Sequence, residues 1–165
     1  MKKVKVDLGG GRNPKKGFVN VDKWDHKCVD IKCDFENEPL PFDDESVDEI
    51  YTHHMLEHLP FVTDDNKPLL DIIIQECYRI LKHDGILDLT VPDFEEACHN
   101  FLDGRVGVAE MMMFGGHTDN PYDWHHSGYS TKILKDTLRK YKFAIKSTDY
   151  PEWYGQNIHI IARKK

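Results

Sequence analysis

The chain has 165 residues and a mass of 19.3 kDa, the size of one compact domain. With 39% hydrophobic and 31% charged residues, and no apolar run near the roughly 20 that cross a bilayer, it reads as a globular chain with no membrane segment. Net charge is −7, so an extended surface for tracking nucleic-acid phosphates is not expected.

The charge is uneven. Eight acids and no Lys or Arg lie between Asp34 and Glu49, whereas nine basic residues against three acidic ones follow from Ser130 onward. The first residues carry lysines but no apolar stretch behind them, unlike a secretory leader. Cys28, Cys33, Cys77 and Cys98 form no Cys-x-x-Cys pair and read as reduced thiols, which suits a cytoplasmic chain. Six of the ten histidines fall in two groups, His53, His54 and His58, then His117, His125 and His126.

In chain order, Val4–Leu8, Phe18–Asp22 and a weaker Val29–Ile31 alternate as strands, and Val47–Tyr51 is a fourth. A long helix follows, capped by Asp65 or Asn66, with Pro68 in its first turn and Leu70, Ile73, Ile74, Cys77 and Leu81 on one stripe. Gly85 stops it, and Gly85–Val91 is a fifth strand. Asp93 to about Met113 is helical with breaks at Gly104 and Gly107. A loop rich in Gly, His and aromatics spans Gly115–Ser130, and Ser130 or Thr131 caps a last helix. Two closing strands cover about 142–147 and 156–162. Strands separated by helices or long loops predict an α/β sheet.

The segment Asp7-Leu8-Gly9-Gly10-Gly11-Arg12-Asn13-Pro14 ends the first strand, where open α/β sheets bind ligands. Pro14 occupies the third position of the Gly-x-Gly-x-x-Gly dinucleotide pattern. The short run from Gly11 to Asp22 leaves room for about one helical turn to face a pyrophosphate. Asp22 can bridge two ribose hydroxyls, Asp34-Phe35 offers an acceptor and an apolar face for a purine, and Asp7 can orient an amine. The set suits a ligand with an amine, a ribose and an adenine but no phosphate.

These segments, with Pro39-Leu40-Pro41-Phe42-Asp43-Asp44, His54-Met55-Leu56-Glu57-His58-Leu59 and Glu76-Cys77-Tyr78-Arg79-Ile80-Leu81, resemble a class I S-adenosylmethionine-dependent methyltransferase of the small, type-11-like kind. The resemblance spans about Val4 to Phe143. It implies one domain over 1–165 with a Rossmann-like seven-stranded sheet, helices on both faces, the last strand antiparallel and the first helix truncated. By match to the family motifs, Asp7, Gly9 and Gly11 would hold the methionine end of S-adenosyl-L-methionine. Asp22 would hold the ribose, Asp34 and Phe35 the adenine, and His53 would line the cofactor. Asn13 departs from the family, which has glycine two positions after Gly11.

His54-x-x-Glu57-His58 also matches the inverted zinc-protease motif, so a metal-dependent hydrolase is an alternative, although Pro60 leaves room for only a short turn. Small-RNA 2′-O-methyltransferases and ubiquinone-pathway O-methyltransferases are similar here. That likeness implies a divalent metal on His54, Glu57 and His58, with a distal ligand from His117, His125 or His126. Without a metal, His125 and His126 are the candidate catalytic bases toward an acceptor oxygen. The expected activity is methylation of a small molecule, with an oxygen of a sugar or related metabolite as acceptor. A non-catalytic S-adenosylmethionine-binding subunit is the other alternative, and a homo-oligomer or a partner subunit fits the short chain.

Overall fold

The computed structural model describes residues 3–116, 123–151 and 156–165. Seven strands form one sheet in the order β3-β2-β1-β4-β5-β7-β6. They are β1 (Lys5–Leu8), β2 (Val19–Asp22), β3 (Ile31–Lys32), β4 (Val47–His53), β5 (Leu81–Pro92), β6 (Phe143–Asp149) and β7 (Asn157–Lys164). The first five run parallel, and β7 is antiparallel to both β5 and β6. The helices are α1 (Leu69–Ile80), α2 (Phe94–Leu102), α3 (Val106–Phe114) and α4 (Thr131–Lys140). Among the described residues no helix is long and apolar enough to cross a membrane.

The two faces of the sheet differ because strand residues alternate. Val6, Leu8, Ile50, Leu87, Leu89, Ile158, Ile160 and Ala162 are completely buried on one face. They share a core with Ile73, Ile74, Cys77 and Ile80 of α1 and with Leu134 and Leu138 of α4. The opposite face carries Lys5, Asp7, Glu49, Tyr51, His53, Asp88, Thr90 and His159, placed side by side by the strand register.

The expected short helix after β1 is absent, and the connections after β2 and β3 form turns rather than helices. Asn20, completely buried on β2, ties the first crossover to the connection after β2. Its Nδ2 donates to the carbonyls of Gly11 and Cys28, at 3.0 and 2.8 Å. Lys15 and Phe18 of that crossover lie on the Tyr51 ring, with centroid distances of 3.6 and 6.0 Å. A loop therefore covers this part of the polar face where a helical layer was expected.

Other boundaries also differ from the sequence reading. Pro68, rather than Asp65 or Asn66, is the N-cap of α1, without a side-chain cap bond. Gly85 does not stop that helix; β5 begins at Leu81, and the pairing steps from Val47↔Leu81 to Glu49↔Ile86, so Lys82–Gly85 bulges out. Ser130 caps α4 as expected, accepting from the Ile133 amide at 3.4 Å. Arg79 of α1 fastens the acidic segment by donating to the carbonyls of Leu40 and Phe42 and to Glu76 and Asp44.

Replacing Asn20 with Ala removes both of these bonds, to the carbonyls of Gly11 and Cys28. Urea unfolding is expected to show a loss of about 1–3 kcal/mol, and unchanged stability would contradict the role given to Asn20.

Candidate functional site

The carboxyl ends of β1, β2 and β4 open into a cavity of about 1190 Å³. Gly9, Gly11, Asp22, Phe35, Met55 and Trp24 line one part, and His54, His58, His126 and Trp124 line another. Gly9 (φ 78°) and Gly11 (φ 53°) adopt left-handed backbone. At Gly9 a side chain is excluded twice over, because a Cβ there would stand 2.1 Å from the Met55 Cγ.

Asp7 is buried beneath this turn, and its Oδ2 accepts the Lys15 amide at 2.6 Å. Burial raises its carboxyl above the usual aspartate value, against the pull of that bond and of His53 and Lys15. Asp22 accepts the amides of Gly11 and Trp24, one on each carboxylate oxygen, both at 2.9 Å. Each oxygen retains a lone pair for a further donor. Phe35 is buried and contributes to the cavity wall.

Two residues expected at the cofactor lie elsewhere. Asp34 is not part of the described cavity lining. Its oxygens accept from the Glu36 amide and the Asn37 side chain in a local turn. His53 ends β4 on the polar sheet face, stacked on Tyr51 and bonded to Asp88 at 2.8 Å, away from the cavity lining. Its neighbour His54 faces the cavity instead, because a φ of 51° turns the chain after β4. Arg12, Lys23, Asp25 and His26 also line the cavity, and no pattern in the sequence singled them out.

The segment His54–His58 is not an α-helix. Only Leu56–His58 form a short 3-10 turn, so the helical face required by the inverted zinc-protease reading does not exist. His54 Nδ1 donates instead to Glu57 Oε1 at 3.0 Å. Glu57 has a side chain only 2% exposed, and its Oε2 has no hydrogen-bond partner among the described residues. The late loop closes over this turn: the amides of His126 and Ser127 both donate to the Glu57 carbonyl, at 2.7 and 3.1 Å. Tyr129 and Ser127 hydroxyls reach the Leu56 carbonyl.

This folding brings together Glu57, His58 and His125, whose ligand atoms lie within 4.8 Å of one another. His58 Nδ1 donates to the Trp124 carbonyl at 3.0 Å, and His125 Nδ1 donates to the Met112 carbonyl at 2.9 Å. A carbonyl only accepts, so each Nδ1 carries the proton and each Nε2 keeps a lone pair. His125, with His54, also lines a second cavity of about 250 Å³ bounded by Pro92, Met111, Met112, Gly115 and Asn157. The two candidate bases therefore separate, His126 to the large cavity and His125 to the small one. His117 lies outside the described residues.

The methyltransferase-domain family matches residues 12–89. No curated protein matches the chain in sequence. A methyltransferase structure from Methanosarcina mazei is 16% identical, with a TM-score of 0.67 over 99% of this chain and 94% of that one. A Thermotoga maritima protein described as a possible histamine N-methyltransferase is 22% identical, with a TM-score of 0.65 over 100% and 84%. The Burkholderia thailandensis 1,6-didemethyltoxoflavin-N1-methyltransferase, bound to its substrate and S-adenosylhomocysteine, is 14% identical, with a TM-score of 0.60 over 98% and 71%.

Burial pushes His125 below the ordinary imidazole value, outweighing Glu57 and the Met112 carbonyl, and does the same to His53 despite its bond to Asp88. The unfolded chain protonates these rings near the ordinary value of about 6.5, the folded chain only at lower pH. Stability is thus full above that value and falls as pH drops through the folded values. Urea unfolding across this range is expected to show the decline, and to show it shallower in His125→Gln. An equal slope in both would contradict the assignment.

Proposed function

We propose that the chain is a class I S-adenosylmethionine-dependent methyltransferase, a reading supported by its fold and by the match of residues 12–89 to the methyltransferase-domain family, and that it methylates a hydroxyl on a small, partly apolar ring. The observation that carries this reading is the convergence of Glu57, His58 and His125, one ligand atom of each lying within 4.8 Å of the others, where Glu57 Oε2 is buried without a hydrogen-bond partner and both imidazoles bond carbonyls through Nδ1. Such a group is satisfied by an O–H donor or by a cation.

In this reading S-adenosyl-L-methionine occupies the large cavity, with its methionine end at Gly9 and Gly11. Asp22 accepts from the ribose hydroxyls, and the adenine lies against Phe35. The acceptor enters the smaller cavity, whose Met111, Met112 and Pro92 suit an apolar ring face better than the hydroxyl-covered faces of a sugar. The 14% and 22% identical structures named for methylation of small nitrogen compounds support acceptors of this size. The hydroxyl donates toward Glu57 and the imidazoles as its oxygen attacks the sulfonium methyl. S-adenosyl-L-methionine, when bound, would supply the methyl group to that oxygen and leave as S-adenosylhomocysteine. Alignment of oxygen, methyl and sulfur supplies much of the acceleration, and the proton passes to the Glu57–His125 group.

A divalent cation is a second reading of the same group. The unpartnered Glu57 Oε2 fits it, as do two imidazoles whose other nitrogens are fixed by carbonyls. When bound, such a cation would lower the pKa of the acceptor hydroxyl.

Release of S-adenosylhomocysteine, followed with phenol, catechol and monosaccharide panels, tests the proposal. Turnover with the ring hydroxyls, reduced about 100-fold or more in His125→Ala, is expected. Turnover confined to monosaccharides, or unchanged in His125→Ala, would overturn it. Loss of turnover on chelation, restored by added metal, would favour the cation reading.

A further inference from the structure

A second cluster of ligating side chains stands on the polar face of the sheet, outside both cavities. His53 on β4, Thr90 on β5 and His159 on β7 are direct neighbours in register, and Asp88 lies two residues before Thr90 on the same face. The Nε2 atoms of His53 and His159 both meet the same atom, Asp88 Oδ1, at 2.8 Å. The three side chains are 20%, 23% and 16% exposed, so solvent reaches the cluster without flooding it.

We propose that His53, Asp88 and His159 form a binding site for a divalent transition metal of the zinc class, which staples β4, β5 and β7. The donor set is two imidazoles and one carboxylate, which selects zinc and its neighbours over calcium or magnesium. The three ligand atoms already lie within 4.8 Å of one another. Zinc bonds of about 2.0–2.2 Å place neighbouring ligand atoms roughly 3.4 Å apart, so the 2.8 Å contacts need open by only about half an ångström. Because the donors come from three adjacent paired strands, little chain ordering accompanies binding.

The surroundings can orient the ligands. Asp149 Oδ2 stands 3.8 Å from His159 Nδ1, placed to accept the ring proton once Nε2 binds metal. Tyr51 stacks on His53 at 3.7 Å between centroids and restricts its ring. Lys15 Nζ, 3.7 Å from Asp88 Oδ2, holds the second carboxylate oxygen. Its charge opposes a nearby cation, but its side chain is 36% exposed and long enough to withdraw. Burial lowers the His53 pKa despite its bond to Asp88, in the direction of the neutral ring that ligates. The competing arrangement is a carboxylate that merely bridges two imidazoles through hydrogen bonds.

The proposal is independent of the cofactor and acceptor assignments. Zinc titration of the full chain, carried out in a His58→Ala/His125→Ala background that silences the Glu57 group, separates the two. One equivalent of Zn²⁺ is expected to bind and to raise the thermal midpoint, and Co²⁺ is expected to give the visible absorption of a low-coordinate N/O site. Adding His159→Gln or Asp88→Asn should each weaken binding by about tenfold or more and abolish the midpoint shift. Circular dichroism selects the variant that remains folded. Absence of saturable binding in the parent background, or unchanged affinity in the folded variant, would overturn the site and leave the hydrogen-bonded bridge.

Discussion

The site depends on the setting of Glu57. Its carbonyl accepts two amides from the late loop, one carboxylate oxygen accepts from His54, and the other is buried with no partner. A buried acceptor without a donor is costly, about 1–3 kcal/mol, and such cost persists where a ligand relieves it. The backbone bonds explain why His125 and His126, more than sixty residues away in sequence, arrive beside the turn after β4. Once that loop is fixed, His126 faces the large cavity and His125 the smaller one.

Economy of chain has a visible consequence on the sheet. The connections after β1, β2 and β3 contain no helices, so α1 and α4 on the apolar face enclose most of the core. Asn20 compensates locally by bonding two loop carbonyls, and Lys15 and Phe18 cover Tyr51. The polar face is otherwise satisfied by pairs such as Lys5–Glu49 at 2.6 Å and by the two imidazoles on Asp88. Charges replace apolar packing where no helix arrives to exclude water.

The strands and the glycine turn were legible in the sequence because period-two alternation and glycines at a strand end are local signals. The same alternation, carried two residues beyond Tyr51, places His53 on the polar face; reading β4 as ending at Tyr51 hid this. The reversal at His54 depends on a left-handed residue that only the packed turn enforces. Asp34 sits in a local Asx-type turn with Glu36 and Asn37 rather than in the lining of the large cavity, a placement that loop packing decides. Adjacent histidines at 125 and 126 gave no means of assigning either to a cavity, since their separation is set by bonds to Glu57 and Met112. The helical zinc-protease pattern failed because Pro60 and the 3-10 turn deny it a helix.

In the proposed function, Asp22 holds S-adenosylmethionine in the glycine-turn cavity. Trp24 and Trp124 both line that cavity, which makes intrinsic fluorescence a direct reporter. Titration with S-adenosylhomocysteine is predicted to give a saturable one-site change, weakened about tenfold or more in Asp22→Ala. A parent chain without a saturable response, or an Asp22→Ala variant that binds equally tightly, would contradict the account.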